Sequence, residues 1–151
     1  MKKKSEVYIK LSNVKIEEVT FKEPKQELIS SFDETCLDLG IGVQLSNNVE
    51  QELITISLHF FYEYNNEIFP ETQLLNYKGS FDFKIDNLED IIKVTKDNIQ
   101  VPDNILITLL TIAISSARGI IIAKTAGAFI NKYYLPILDP NEILENIKAQ
   151  S

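Results

Sequence analysis

The chain has 151 residues, 44% of them hydrophobic and 25% charged, the make-up of a soluble folded protein with room for one real core. That balance excludes a disordered or fibrous chain. A formal net charge of −7 repels phosphate backbones, so nucleic-acid binding is not expected, while partners that carry basic segments suit it.

The opening Met1-Lys2-Lys3-Lys4 starts like a signal peptide, but residues 5–15 are mixed and polar and supply no apolar core for one. A cytoplasmic protein is therefore expected. The first strand is read over Val14 to Phe21, charged and β-branched, and Pro24 ends it. The second runs from about Thr35 to Leu45. Leu37, Leu39, Ile41, Val43 and Leu45 take its odd positions, the period-two signature of one buried face. Ser46-Asn47-Asn48-Val49 then reads as a turn, because Asn tolerates positive φ. A third strand, about Glu52 to Tyr64, puts Ile54, Ile56, Leu58, Phe60, Tyr62 and Tyr64 on one face. Asn65-Asn66 marks the next turn and Pro70 the following loop. The fourth strand, about Leu74 to Ile85, buries Tyr77, Phe81, Phe83 and Ile85 and exposes Lys78, Ser80, Asp82 and Lys84. Short connections between successive strands predict a four-stranded antiparallel meander.

From Asn87 the pattern changes. Leu88 to Val94 are expected to make one or two helical turns. Ile105 to Ala123 is almost wholly apolar, and by hydropathy alone would suit a membrane span. Arg118 within its inner third is costly in a bilayer, so a deeply buried helix, covered by other subunits, is the preferred reading. A last helix begins at Asp139, which can cap it, with Pro140 at the first helical position and Glu142 at the third. Ile143, Leu144 and Ile147 give it one apolar face. No repeat or second domain is apparent, so residues 1–151 read as one α+β domain, its sheet followed by a long apolar helix and a short C-terminal one.

Catalytic chemistry is poorly served. Cys36 and His59 are the only cysteine and histidine, too few for a zinc site, and nothing in the sequence brings them together. The chain lacks a phosphate-binding glycine loop and any local nucleophile–base motif. No enzyme activity, metal or cofactor is expected.

Several short segments, in order, carry a family resemblance. They are Glu17 to Pro24, the alternating run around Asp38, Tyr77-Lys78-Gly79-Ser80-Phe81 and Pro102 to Leu106. Gly127-Ala128-Phe129, Leu135-Pro136-Ile137 and Asn141 to Leu144 follow. In that order and spacing the chain resembles the SecB family of protein-export chaperones. The resemblance implies a four-stranded antiparallel sheet with two helices, assembled as a homotetramer, a dimer of dimers. It also implies a long groove that holds unfolded or precursor polypeptides without converting them.

Such a holdase needs apolar surface and a backbone-binding edge rather than a nucleophile. The peptide-binding candidates are Ile68, Phe69, Phe129, Tyr133, Tyr134, Leu135, Ile137, Leu138, Ile143 and Leu144. Ordinary core packing is the competing role for each. Tyr133-Tyr134 stands out, since adjacent large aromatics in a loop cannot easily both face inward. In the family, acidic residues on the outer sheet face recruit the translocase motor. Glu18, with Glu17 beside it, fits that position, although a solvated strand face is the simpler explanation of both. Lys22 and Leu74 stand where further acids would be expected, and the chain stops soon after its last helix, which weakens motor docking. Two alternatives follow: a SecB-like chaperone dedicated to an antitoxin of a toxin–antitoxin system, and a small apolar-ligand-binding or structural α+β domain.

Overall fold

The computed structural model describes residues 7–95, 98–133 and 135–149. Its centre is one antiparallel sheet of β1 (Ile9–Phe21), β2 (Leu37–Asn48), β3 (Leu53–Tyr64) and β4 (Thr72–Ile85), in the order β1-β4-β3-β2. β2, β3 and β4 form the expected meander. β1 does not join it at β2; it lies on the opposite edge, antiparallel to β4. The connection after Pro24 carries the chain across, using helix α1 (Gln26–Ser30) and a 3-10 turn at Glu34–Cys36. Those elements are too short to register as periodic patterns.

β3 alternates buried and half-buried residues without a break, and all six apolar residues assigned to its inner face are buried. β4 buries Tyr77, Phe81, Phe83 and Ile85 as expected. The outer strands differ. On β2 the apolar odd positions are only half-buried and Ile41 is exposed, because β2 is an edge strand with thin cover. β1 starts five residues before the expected Val14 (14 − 9) and exposes Leu11, Val14, Ile16 and Phe21. The turn after β2 also moves. Asn47 and Asn48 still pair with Ile54 and Leu53, and the reversal follows at Val49–Glu52, with Glu52 at φ 57°.

Beyond the sheet, α2 (Leu88–Ile91) leads into a small hairpin of β5 (Lys93–Thr95) and β6 (Asn98–Gln100) where only helical turns were expected. α3 (Asp103–Lys124) then packs on β3 and β4, and α4 (Pro140–Ala149) packs beside α3. α3 is long and apolar enough to cross a membrane, with a mean hydropathy of 2.1. In this fold it presents Ile105, Leu106, Leu109, Leu110, Ala113, Ile114, Ala117 and Ile121 as one buried stripe at helical spacing. The opposite face exposes Thr108, Thr111, Ile112, Ser115 and Gly119, so within one chain the helix is buried on one side rather than all round. Asp139 caps α4 as expected, its Oδ1 accepting the Asn141 backbone N–H at 2.9 Å. Lys148 of α4 reaches Asp103 at the start of α3 (2.6 Å), so the two helices lie side by side in opposite directions.

Candidate functional site

A groove of about 800 Å³ lies between α4 and the sheet. Ile41, Val43 and Gln44 of β2, Ser57, Leu58 and His59 of β3 and Lys78 and Gly79 of β4 line it, with Ile143, Asn146 and Ile147 of α4 and Glu17 of β1. Ile143 and Ile147 are one helical turn apart and so share a face. The volume falls inside the range of ordinary ligand sites, about 300–1,000 Å³.

Gly79 has a particular reason to be glycine. A Cβ there would overlap the Tyr77 hydroxyl and stand 2.8 Å from the ring carbon Cζ and 3.2 Å from the Lys15 carbonyl oxygen. The Tyr77 side chain thus leans along β4 over Gly79, with its ring stacked on Phe60 at 6.0 Å. Its hydroxyl is buried and has no hydrogen-bond partner among the described residues. Burial pushes its pKa up to about 12.

A second such hydroxyl belongs to Tyr62, also buried and unpartnered among the described residues. Burial raises it to about 12, with the nearby Arg118 charge acting in the opposite sense. Arg118 is the chain's one arginine beside fourteen lysines. Its Nη2 donates to the Pro136 carbonyl at 2.9 Å and so ties the segment between α3 and α4 back onto α3.

That segment carries most of the sequence-predicted residues, and the structure divides them. Phe129 and Tyr133 join Phe32 and Tyr64 in an aromatic cluster, with ring centroids 4.8 to 5.6 Å apart. Glu23 holds Phe129 there, its Oε1 accepting the Phe129 N–H at 3.0 Å. The end of α3 is fixed by Asn131, which donates to the Ile122 carbonyl and to the buried Thr125 hydroxyl. Phe69 and Leu138 are half-buried against the core. Leu135 and Leu144 sit inside it, at 4% and 5% exposure. Ile68 and Ile137 project outward at 77% and 94%. Tyr134 lies outside the described residues. Of the nine candidates among the described residues only Ile143 lines the groove. Ile41, Val43 and Ile147 were missed as site residues, although the odd-position run of β2 and the i, i+4 pair of α4 both carried the signal.

Glu17 and Glu18 part company. An irregularity in the β1–β4 ladder falls between Ile16 and Glu18, and Glu17, within it, lines the groove. Glu18 sits opposite Lys78 on the outer face, 4.0 Å from its Nζ, and accepts from the Thr20 hydroxyl at 3.2 Å. Leu74 is buried, and Lys22 is exposed with its N–H bonded to the Leu74 carbonyl. On the same outer face His59 Nε2 donates to Asn76 Oδ1 at 2.6 Å. Cys36 precedes the Leu37–Tyr64 pair while His59 pairs with Gly42, so the two residues stand six positions apart along the sheet, roughly 20 Å. Among the described residues no group of three His, Cys, Asp or Glu side chains could hold a metal ion.

No protein-family model matches the chain, and no curated protein sequence matches it. Among solved structures it is similar to the SecB-like chaperone Rv1957 of Mycobacterium tuberculosis, in complex with a ChAD peptide from the HigA1 antitoxin. The TM-score is 0.54 at 8% identity, covering 86% of this chain and 90% of that one. A protein of unknown function from Streptococcus agalactiae matches at a TM-score of 0.34 and 10% identity, over 80% of this chain and 90% of that chain. What the chain shares with the mycobacterial protein is its fold, an α+β arrangement with a four-stranded antiparallel sheet and helices.

Proposed function

We propose that this chain is a non-enzymatic holdase chaperone, a single domain over residues 1–151 that binds unfolded polypeptides in the groove between α4 and the sheet. The observation that carries the reading is the groove's make-up. Apolar side chains from β2, β3 and α4 line a space of about 800 Å³, interleaved with the polar Glu17, Gln44, Ser57, His59, Lys78 and Asn146. Contact of that kind favours binding by roughly 25 cal/mol per Å² of apolar surface buried, whatever the client's sequence. The fold shared with a SecB-like chaperone supports the same reading.

On this reading Ile143 lies in the groove, and the aromatic cluster of Phe129 and Tyr133, with Tyr134, the half-buried Phe69 and Leu138 and the outward Ile68 and Ile137, extends the client surface. Leu135 and Leu144 support it from the core. The protein acts in the cytoplasm as a homotetramer. The exposed apolar residues Ile112 and Ile122 on α3 and Leu11, Val14 and Ile16 on β1 support burial between copies. Glu18 is the candidate for docking a translocase motor, with Glu17 assigned to the groove instead.

A second client is an antitoxin, favoured by the mycobacterial neighbour's capture with an antitoxin peptide. A small apolar ligand also suits a site of this volume. Aggregation of a chemically unfolded client, followed by light scattering with stoichiometric chaperone, tests the reading. Suppression is expected. Undiminished scattering, with a compact lipid-like molecule bound instead, would replace the holdase by the ligand-binding domain.

A further inference from the structure

The face of the sheet turned away from α3 carries opposite charges at diagonal corners. At one corner Lys10 of β1 lies directly opposite Lys84 of β4. The flanking pairs, Ile9–Ile85 and Leu11–Phe83, set Ile85 and Phe83 in the core, so both lysines stand on the outer face. At the other end Asp38 of β2 lies directly opposite Glu63 of β3, whose neighbours Tyr62 and Tyr64 are buried on the inner face. Lys84 pairs with Leu53, so ten positions of β3 (63 − 53) separate the two corners, roughly 33 Å. Like charges directly opposite on adjacent strands are destabilising. Neither pair is relieved within the fold, since none of these four side chains makes an ion pair among the described residues. Lys84 donates instead to the Gln51 carbonyl at 3.2 Å. Between the corners the charges cancel: Glu18 faces Lys78 at 4.0 Å, and Asp82, which accepts from the Thr55 hydroxyl at 2.6 Å, offsets Lys15. The middle of the face is also low. Gly42, Ser57 and Ser80 have little or no side chain, and Phe61 lies over Gly40 in the space a Cβ would fill.

We infer that this outer face docks a second copy of the chain, face to face about a two-fold axis that runs between the two sheets and across their strands. The Lys10–Lys84 corner of each copy then meets the Asp38–Glu63 corner of the other. A two-fold contact presents the same patch from both sides, so a face with opposite charges at its two ends complements itself. A foreign partner would need matching charges of both signs roughly 33 Å apart, whereas a second copy brings them by symmetry. Four strands about 4.8 Å apart over that length offer roughly 600 Å² per copy, less than the about 800 Å² of a standard stable interface. The contact is therefore a weak one that charge decides. It is distinct from the burial of α3 and β1 apolar residues between copies, which uses the other side of the sheet, and it does not rest on the holdase reading. A copy seated there covers Glu18, so this association and motor docking at Glu18 exclude each other.

The test follows the mass of the full chain by sedimentation velocity as salt is raised. The mass should be highest at about 20 mM salt and fall by about 500 mM to that of the species held by apolar burial alone. Two variants reverse the corners separately: Lys10→Glu with Lys84→Glu, and Asp38→Lys with Glu63→Lys. Each should weaken the salt-sensitive association about tenfold or more, because like charges then meet at both ends. Mixed in equal amounts, the two variants should associate as tightly as the unsubstituted chain, since every corner again meets its opposite. Lys84→Glu alone places a carboxylate opposite Lys10, so its melting temperature should equal or exceed that of the unsubstituted chain, which separates lost association from lost folding. A mass that does not change with salt, or a reversal variant that associates like its parent, would overturn the inference. Failure of the mixture to recover would overturn it too, and would assign the two corners to partners other than this chain.

Discussion

Gly79→Ala is the sharpest test of how the groove floor is built. The new methyl group must displace Tyr77, whose side chain is fully buried and stacked on Phe60, or push on the Lys15 carbonyl 3.2 Å away in β1. Tyr77 is fully buried, so the cost is that of overpacking a core, about 1–3 kcal/mol. For a chain of this length about 2 kcal/mol lowers the melting temperature by roughly 4–8 °C. Equilibrium unfolding in urea would read the same loss as a lower midpoint at unchanged slope. The reasoning makes a second demand. The hydroxyl is the atom in conflict, so Tyr77→Phe should relieve part of the clash, and the two substitutions should couple by about 1 kcal/mol in a double-mutant cycle. A Gly79→Ala protein as stable as its parent, or a cycle that is additive, would show that the tyrosine does not lean on the glycine.

Three further outcomes are expected. Tyr62 and Tyr77 have pKa values near 12 in the fold, whereas an unfolded tyrosine ionises near 10. The neutral form is favoured by the fold, so their contribution is complete below pH 10 and is lost as pH rises from 10 to 12. Melting curves between pH 9 and 11.5 should show this loss, and a Tyr62→Phe, Tyr77→Phe double variant that loses stability equally would assign it elsewhere. Leu110→Ala, in the buried stripe of α3, should cost about 2–5 kcal/mol, whereas the neighbouring exposed Thr111→Ala should stay within about 0.5 kcal/mol. Urea titration of the pair checks which face of α3 meets the sheet, and equal losses would contradict the orientation described. Asp139→Ala removes the side-chain cap of α4 and should cost about 0.5–2 kcal/mol. It should also raise amide exchange in the first turn of α4; unchanged exchange there would show that the cap is not what holds the helix start.

The sheet was legible where a strand is buried on one face. The six alternating residues of β3 and the four of β4 could be read directly, because a period of two survives any arrangement of neighbours. Helix α3 was legible by length and apolarity, and α4 by Asp139 and Pro140 at its start. β1 was harder. Its neighbour is chosen by a connection whose helix and 3-10 turn carry no periodic signal, so its place beside β4 rather than β2 could not be read. The candidate site was legible as an inventory of apolar loop residues. Yet Leu135 and Leu144 proved to be core while Ile41, Val43 and Ile147 proved to line the groove.

By itself, then, the sequence determined the class of the protein: acidic, α+β, with four strands, two main helices and no recognisable catalytic motif. These follow from composition and from local periodicity, which depend on residues close together in the chain. Only the tertiary structure decided which half-buried apolar residues face a shared opening, and that Glu17 lines the groove together with Lys78, the partner of Glu18. It also set the Tyr77 hydroxyl against Gly79, without a partner among the described residues. The physical reason is that a groove is defined by what two distant segments leave unfilled between them. No local pattern in β2, β4 or α4 records the distance to the other.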